Sequence, residues 1–249
     1  MGGHSHWAGI KHKKGAADAK RGKVFTKLIR EIVIATREGG GEVANNPRLR
    51  KAIDDARTAN MPGDNVDRAI LRGLGKLPGA TIEEVVFEGY GPSGVAVLVE
   101  ATTDSKNRTT SEIRKIFAAR GGNLGELGCV SWVFKSKGYF EIEKSKITED
   151  RLFEIVLEAG AEDVNGDDAD AYRVTCEITE FDKIKKALLA AKIEAQTAET
   201  TKLPSTEVKL EGNDAEKMLG LMEDLENHDD VKNVYANYNI PDEILAKHT

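Results

Sequence analysis

Residues 138–204, GYFEIEKSKITEDRLFEIVLEAGAEDVNGDDADAYRVTCEITEFDKIKKALLAAKIEAQTAETTKLP, decide the fold. Apolar residues alternate over Tyr139 to Glu143 and again over Tyr172 to Ile178, the period of a half-buried strand. Between and after them the period lengthens to that of a helix. The segment reads as strand 139–143, helix 149–159, a strand near 162, strand 172–178, helix 181–193 and strand 195–201. That order, βαββαβ, is the ferredoxin-like split βαβ arrangement.

Working outward, residues 79–135 show a related but truncated order. Val85-Val86-Phe87 and Val95 to Val99 pair as strands across the turn Gly89-Tyr90-Gly91-Pro92-Ser93-Gly94. Thr109 and Glu112 have capping-box spacing, which predicts a helix from Thr110 to about Arg120 with Ile113, Ile116 and Phe117 buried. Gly121-Gly122 ends that helix, and Val130 to Phe134 follows as a strand. A closing helix and strand are missing here, but residues 214–227 and Val231 to Tyr238 supply them after the 138–204 block. The expectation is a discontinuous α/β domain, 79–135 with 205–249, carrying an inserted domain at 136–204; insertion at an exposed turn is well tolerated.

Residues 1–78 lack strands. Val24, Phe25, Leu28, Ile29, Ile32 and Val33 form one helical face closed by Gly39-Gly40-Gly41. Asn46-Pro47 opens a second helix carrying Leu49, Ala52, Ile53 and Ala56, ended by Met61-Pro62-Gly63. Asp64 or Asn65 caps a third, with Val66, Ala69, Ile70 and Leu74 inward. The whole is α+β: a basic leader plus three-helix domain (1–78), then two ferredoxin-like α/β domains, one inserted into the other.

Charge divides the chain. Residues 1–78 hold 16 Lys and Arg against 8 Asp and Glu, a balance of +8, while the remainder carries −14. A basic end on an acidic body is the composition of a polyanion binder. In the leader, GHSHWAGIKHKKGAADAKRGK (3–23), Lys11, Lys13, Lys14, Lys20, Arg21 and Lys23 can neutralise phosphates, and Trp7 offers a face for a base. Lys27, Arg30 and Arg37 continue from Lys23 along one stripe of the first helix, within about 80° of arc. Farther on, Asn107, Arg108, Arg114 and Lys115 form a second polar, basic group that can contact a nucleic-acid backbone, although Asp104 and Thr109 there are equally explained as turn and cap.

Other motifs point away from chemistry. His4, His6 and His12 have no Cys or acidic partner at a metal-ligand spacing, so no metal is expected. Gly89, Gly91 and Gly94 match GxGxxG, yet a strand follows where a dinucleotide site needs a helix, which leaves a hairpin turn. Asp163, Asp167, Asp168 and Asp170 lack the ligand order of a calcium loop. Cys129 and Cys176 form no CxxC pair and fit a reducing cytosol. With no nucleophile–base motif, no catalytic residue and no cofactor are expected. The opening residues lack the apolar core of a secretory signal, and no stretch is apolar enough to span a membrane, so the expectation is a cytoplasmic protein without a membrane partner.

Four segments, GHSHWAGIKHKKGAADAKRGKVFTKLIREI, NPRLRKAIDDARTANMP, EGYGPSGVAVLVE and NRTTSEIRKIFAARGGNLGELGCVSWVF, resemble the YebC/PmpR family of transcriptional regulatory proteins, which includes the mitochondrial translational activator of cytochrome oxidase subunit one. The resemblance is strongest over residues 3–134. Where that family usually reads GHSKW, this chain has His6, one charge fewer. The resemblance implies three domains and a non-enzymatic, nucleic-acid-linked function. Two partners follow from it: DNA, in transcriptional control, or ribosomal and transfer RNA on the ribosome, in relief of stalled translation.

Overall fold

The computed structural model describes residues 18–168, 170–241 and 244, with backbone alone for 18–21. The chain forms two compact units, one running to Ser131 and resuming at Glu207, the other Trp132–Thr206.

The first unit opens with three helices, α1 (Asp18–Gly39), α2 (Pro47–Thr58) and α3 (Gly63–Gly73). Ile32, Val33 and Ala35 of α1 meet Leu49, Ala52, Ile53 and Ala56 of α2 and Ala69 of α3 in one small core. Asn46, buried, joins two helix ends. Its Oδ1 accepts from Leu49 N at 3.0 Å, capping α2, while its Nδ2 donates at 2.8 Å to the carbonyls of Ala35 and Gly40, closing α1. Two boundaries differ from expectation. Helix α2 stops at Thr58, because Asn60 turns into the left-handed region at φ 57°. Helix α3 begins directly after Pro62 without a side-chain cap, and Asp64 lies in its first turn, where a carboxylate complements the helix dipole. Gly73 lets α3 lie against α1, since a Cβ there would sit 2.6 Å from Thr36 Cβ and 2.7 Å from the Val33 carbonyl oxygen.

The sheet of this unit has the order β3-β1-β2-β9, antiparallel throughout, from β1 (Glu83–Tyr90), β2 (Ala96–Thr103), β3 (Asn123–Leu124) and β9 (Val231–Ala236). Gly89, Gly91 and Gly94 fall at the β1–β2 hairpin. Helices α4 (Lys106–Ala119) and α7 (Gly212–Glu226) bury Ile113, Phe117, Met218, Met222 and Leu225 against Phe87, Val97, Val99 and Val234. Strand β9 follows the second unit in the chain and pairs with β2, so the second unit is inserted into the first in sequence. A short parallel pair, β8 (Val208–Lys209) with β10 (Tyr238–Asn239), follows the sheet.

The second unit is β4 (Phe134–Glu143), α5 (Glu149–Glu158), β5 (Ala161–Asn165), β6 (Ala171–Cys176), α6 (Phe181–Ala190) and β7 (Thr197–Pro204). Its antiparallel sheet runs β5-β6-β4-β7, the ferredoxin-like order. Leu152, Val156, Ile184 and Leu188 of the helices cover Phe140, Ile142 and Val174. Phe140 stacks on Phe181 with centroids 4.8 Å apart.

The expected strand 130–134 does not form. The backbone N–H groups of Val130 and Ser131 donate at 2.7 and 2.8 Å to Oε2 of Glu88, which removes them from any ladder. A single 3₁₀ turn follows at 131–133, and β4 then runs unbroken from Phe134 because β7 pairs with it from Pro204 back to Thr197. Residues 123–124 add an edge strand to β1.

Candidate nucleic-acid interface

Helix α4 begins four residues earlier than its capping-box spacing predicts. Thr109 is no cap: its hydroxyl lies 2.8 Å from Thr103 Oγ1 and 2.6 Å from Asp230 Oδ2, in the interior. This draws Asn107 and Arg108 into the helix, Asn107 on its exposed surface and Arg108 toward Asp230.

Asp230 lies between α7 and β9, its side chain 3% exposed. Arg30 Nη1 of α1 stands 2.7 Å from its Oδ1, and Arg108 Nη2 of α4 2.7 Å from its Oδ2. Burial opposes ionisation of this carboxyl, yet the Thr109 hydroxyl and the two guanidinium groups outweigh it and hold the pKa down to about 2. Arg30 also donates to the carbonyls of Asp229 at 2.8 Å and Thr102 at 3.2 Å.

The rest of the α1 stripe docks on the same neighbourhood. Lys23 Nζ donates to the carbonyl of Asn227 at 2.9 Å and Lys27 Nζ to that of Glu226 at 2.8 Å, cations at the carboxyl end of α7. Arg37 donates to the Ile82 carbonyl. Below them Arg48 bridges Glu31, Glu38 and Glu84, and Lys232 also reaches Glu31 at 2.8 Å. The helical bundle and the sheet thus keep separate apolar cores and meet through these ionic contacts. Lys23, Arg30, Arg108, Glu112, His228, Asp229 and Asp230 line a polar cleft of about 480 Å³ between them.

Glu112, His228 and Asp230 bring donor atoms within 4.8 Å of one another, the spacing of a metal site. Their bonds are otherwise spent. His228 Nδ1 accepts from Asp230 N at 3.1 Å, which leaves Nε2 to carry the proton toward Glu112 Oε2 at 2.9 Å. Both oxygens of Asp230 face arginines, so a cation there would be repelled. Neither thiol is set up as a nucleophile: burial, then Glu88, pushes Cys129 up, and burial pushes Cys176 up to about 11.

Of the residues singled out in the sequence, Trp7, Lys11, Lys13 and Lys14 lie outside the described residues, as do His4, His6 and His12, and Lys20 and Arg21 have only backbone described. The structure brings Lys23, Lys27, Arg30 and Arg108 together around Asp230 and the end of α7. Asn107 and Arg114 stand apart on the exposed surface of α4, joined by Lys106 and Lys115. The sequence carried no signal for Asp230, which is 122 residues from Arg108 and sits in an unremarkable His-Asp-Asp run.

Two family models match the chain: the TACO1/YebC protein N-terminal domain over residues 5–76 and the TACO1/YebC second and third domain over 82–238. A protein of Elusimicrobium minutum, named a probable transcriptional regulatory protein, is 54% identical over 248 residues, 99% of each chain. One of the same name from Citrifermentans bemidjiense is 55% identical over 247 residues, again 99% of each chain. The crystal structure of a conserved hypothetical protein from Aquifex aeolicus, 48% identical, covers 96% of this chain and 99% of its own with a TM-score of 0.82. With both models together spanning most of its length and relatives matched end to end, this chain belongs to the TACO1/YebC family.

Proposed function

We propose that this protein is a non-enzymatic, cytoplasmic regulator that binds nucleic acid through its phosphates, acting on DNA in transcriptional control. The observation that carries this reading is the leader, where residues 3–21 hold five Lys and Arg against the single carboxylate of Asp18. Such a segment releases counterions when it meets a polyanion. The names of the relatives, transcriptional regulatory proteins, support the same reading. Lys11, Lys13, Lys14, Lys20 and Arg21 supply the charge and Trp7 a stacking face. Replacing those five cations by Ala is expected to weaken binding to a labelled DNA duplex and to flatten the dependence of log K on log salt. Wild-type affinity and slope in that variant would remove the leader from the site.

A second reading, binding of ribosomal or transfer RNA on the ribosome, is favoured by the surface of the bundle. The exposed residues of α3 are Gly63, Asp64, Asp67, Arg68, Leu71 and Arg72, and those of α2 include Arg50, Lys51, Asp54, Asp55 and Arg57, with no Asn or Gln exposed on either helix. Neither helix presents the Arg, Asn and Gln set that reads base edges in a major groove. Crosslinking of the protein in cells separates the two: ribosomal or transfer RNA among the crosslinks, with altered ribosome occupancy in a deletion strain, selects the second, and promoter DNA alone selects the first.

A further inference from the structure

The cations marked out by the sequence fall into two sets. Lys23, Lys27, Arg30 and Arg108 are bound to carbonyls and carboxylates of their own unit. On α4, Lys106, Arg114 and Lys115 are exposed, and their side chains make no ion pair with any described residue. The one carboxylate of that helix, Glu112, is turned to His228 at the flank. Asn107 and Ser111, also exposed, lie between the cations and add neutral hydrogen-bonding groups.

We propose that this outward face of α4, built on Asn107, Ser111, Arg114 and Lys115, which fall within about 100° of arc, is a second, ordered phosphodiester-binding surface that holds a nucleic-acid strand against the body of the protein. The proposal rests on the nucleic-acid reading above. From Asn107 to Lys115 the helix rises about 12 Å, the length of on the order of three to four phosphates along one strand of a duplex. The helix is a stiff platform, since Thr109, Ile113 and Phe117 anchor its other side in the interior. Charge also sets which way the strand runs. Neighbouring α7 exposes Glu216 and Glu223, with Asp224 beside them, so a polyanion is repelled from that helix and kept on the α4 side. A cation already paired within the fold gains little from a phosphate, because it must exchange one anion for another. Arg114 and Lys115 exchange only water and counterions, which is the source of the affinity.

The test uses the full-length protein with two fluorescent probes, a 20-nucleotide polyuridine RNA and a 20-base-pair DNA duplex, titrated from low to high salt. The double variant R114Q/K115Q is expected to bind at least about tenfold more weakly at 0.1 M salt, with a salt slope shallower by about one to two, and to melt at the wild-type temperature. The variant K23Q/K27Q is expected to keep the wild-type slope while melting lower. Wild-type slope and affinity in the double variant, with wild-type protein binding either probe, would overturn the proposal and leave the nucleic-acid reading standing. Failure of the wild-type protein to bind either probe would overturn both.

Discussion

Arg30 of α1 and Asp230 ahead of β9 are separated by 2.7 Å, and the carboxylate is 3% exposed. This contact ties the helical bundle to the sheet, and it makes a residue with the sequence profile of a phosphate ligand into part of the framework. Breaking a buried pair by removing one member costs about 3–5 kcal/mol, because the partner is left buried and uncompensated. Here the mostly buried Arg30 guanidinium would be left, while Arg108, half-exposed, keeps Asp104. Asp230→Ala is therefore expected to lose stability on that scale in urea unfolding, and an unchanged midpoint would show the contact to be idle.

The same carboxylate sets a pH dependence. Its native pKa, held at about 2, lies below the ordinary value of about 3.9 in an unfolded chain. The group's contribution is therefore complete above pH 4 and is lost as pH falls from there toward 2, on the order of 2 kcal/mol. Acid titration of the unfolding free energy should fall less steeply in this window for Asp230→Asn than for the wild type.

Glu88 is buried with its carboxylate accepting from Gly128 N at 2.8 Å, Val130 N at 2.7 Å and Ser131 N at 2.8 Å. Burial disfavours its charge, but these backbone donors outweigh that and hold its pKa below the ordinary range. Glu88→Gln keeps the shape and turns one acceptor into a donor. A loss of about 2 kcal/mol is expected, with faster amide exchange at 128–131 than elsewhere in the sheet.

Lys27 donates to the Glu226 carbonyl at the carboxyl end of α7. Lys27→Met should cost about 0.5–1 kcal/mol at low salt and less at 1 M, because the interaction with a helix end is screened. Equal loss at both ionic strengths would assign the effect to packing.

Gly73→Ala places a methyl 2.6 Å from Thr36 Cβ and 2.7 Å from a backbone carbonyl of α1. Neither can give way without moving a helix. A thermal melt should register about 1–3 kcal/mol of destabilisation, despite alanine's better helix propensity.

Most elements were legible because their signals are local. The 3.6-residue and two-residue periods, the Asn46-Pro47 helix start and the glycine turns depend on neighbours in the chain. The βαββαβ order of 138–204, and the helix and strand after it that complete the preceding sheet, follow from the succession of such local elements. Family membership was legible too, in motifs such as EGYGPSGVAVLVE and NRTTSEIRKIF.

What tertiary structure alone decided is which charges are spent. Along the sequence, Arg30, Arg108 and Arg114 look alike, and charge patterning cannot separate them. The difference lies in Asp230, brought against Arg30 from 200 residues away, and in the carbonyls at the end of α7, whose negative field exists only when that helix is folded and docked. The missing strand at 130–134 has the same origin, a carboxylate on β1 that captures two backbone N–H groups about 40 residues on. Local chemistry set the elements, and long-range electrostatic pairing set which cations hold the fold together and which stand open on α4.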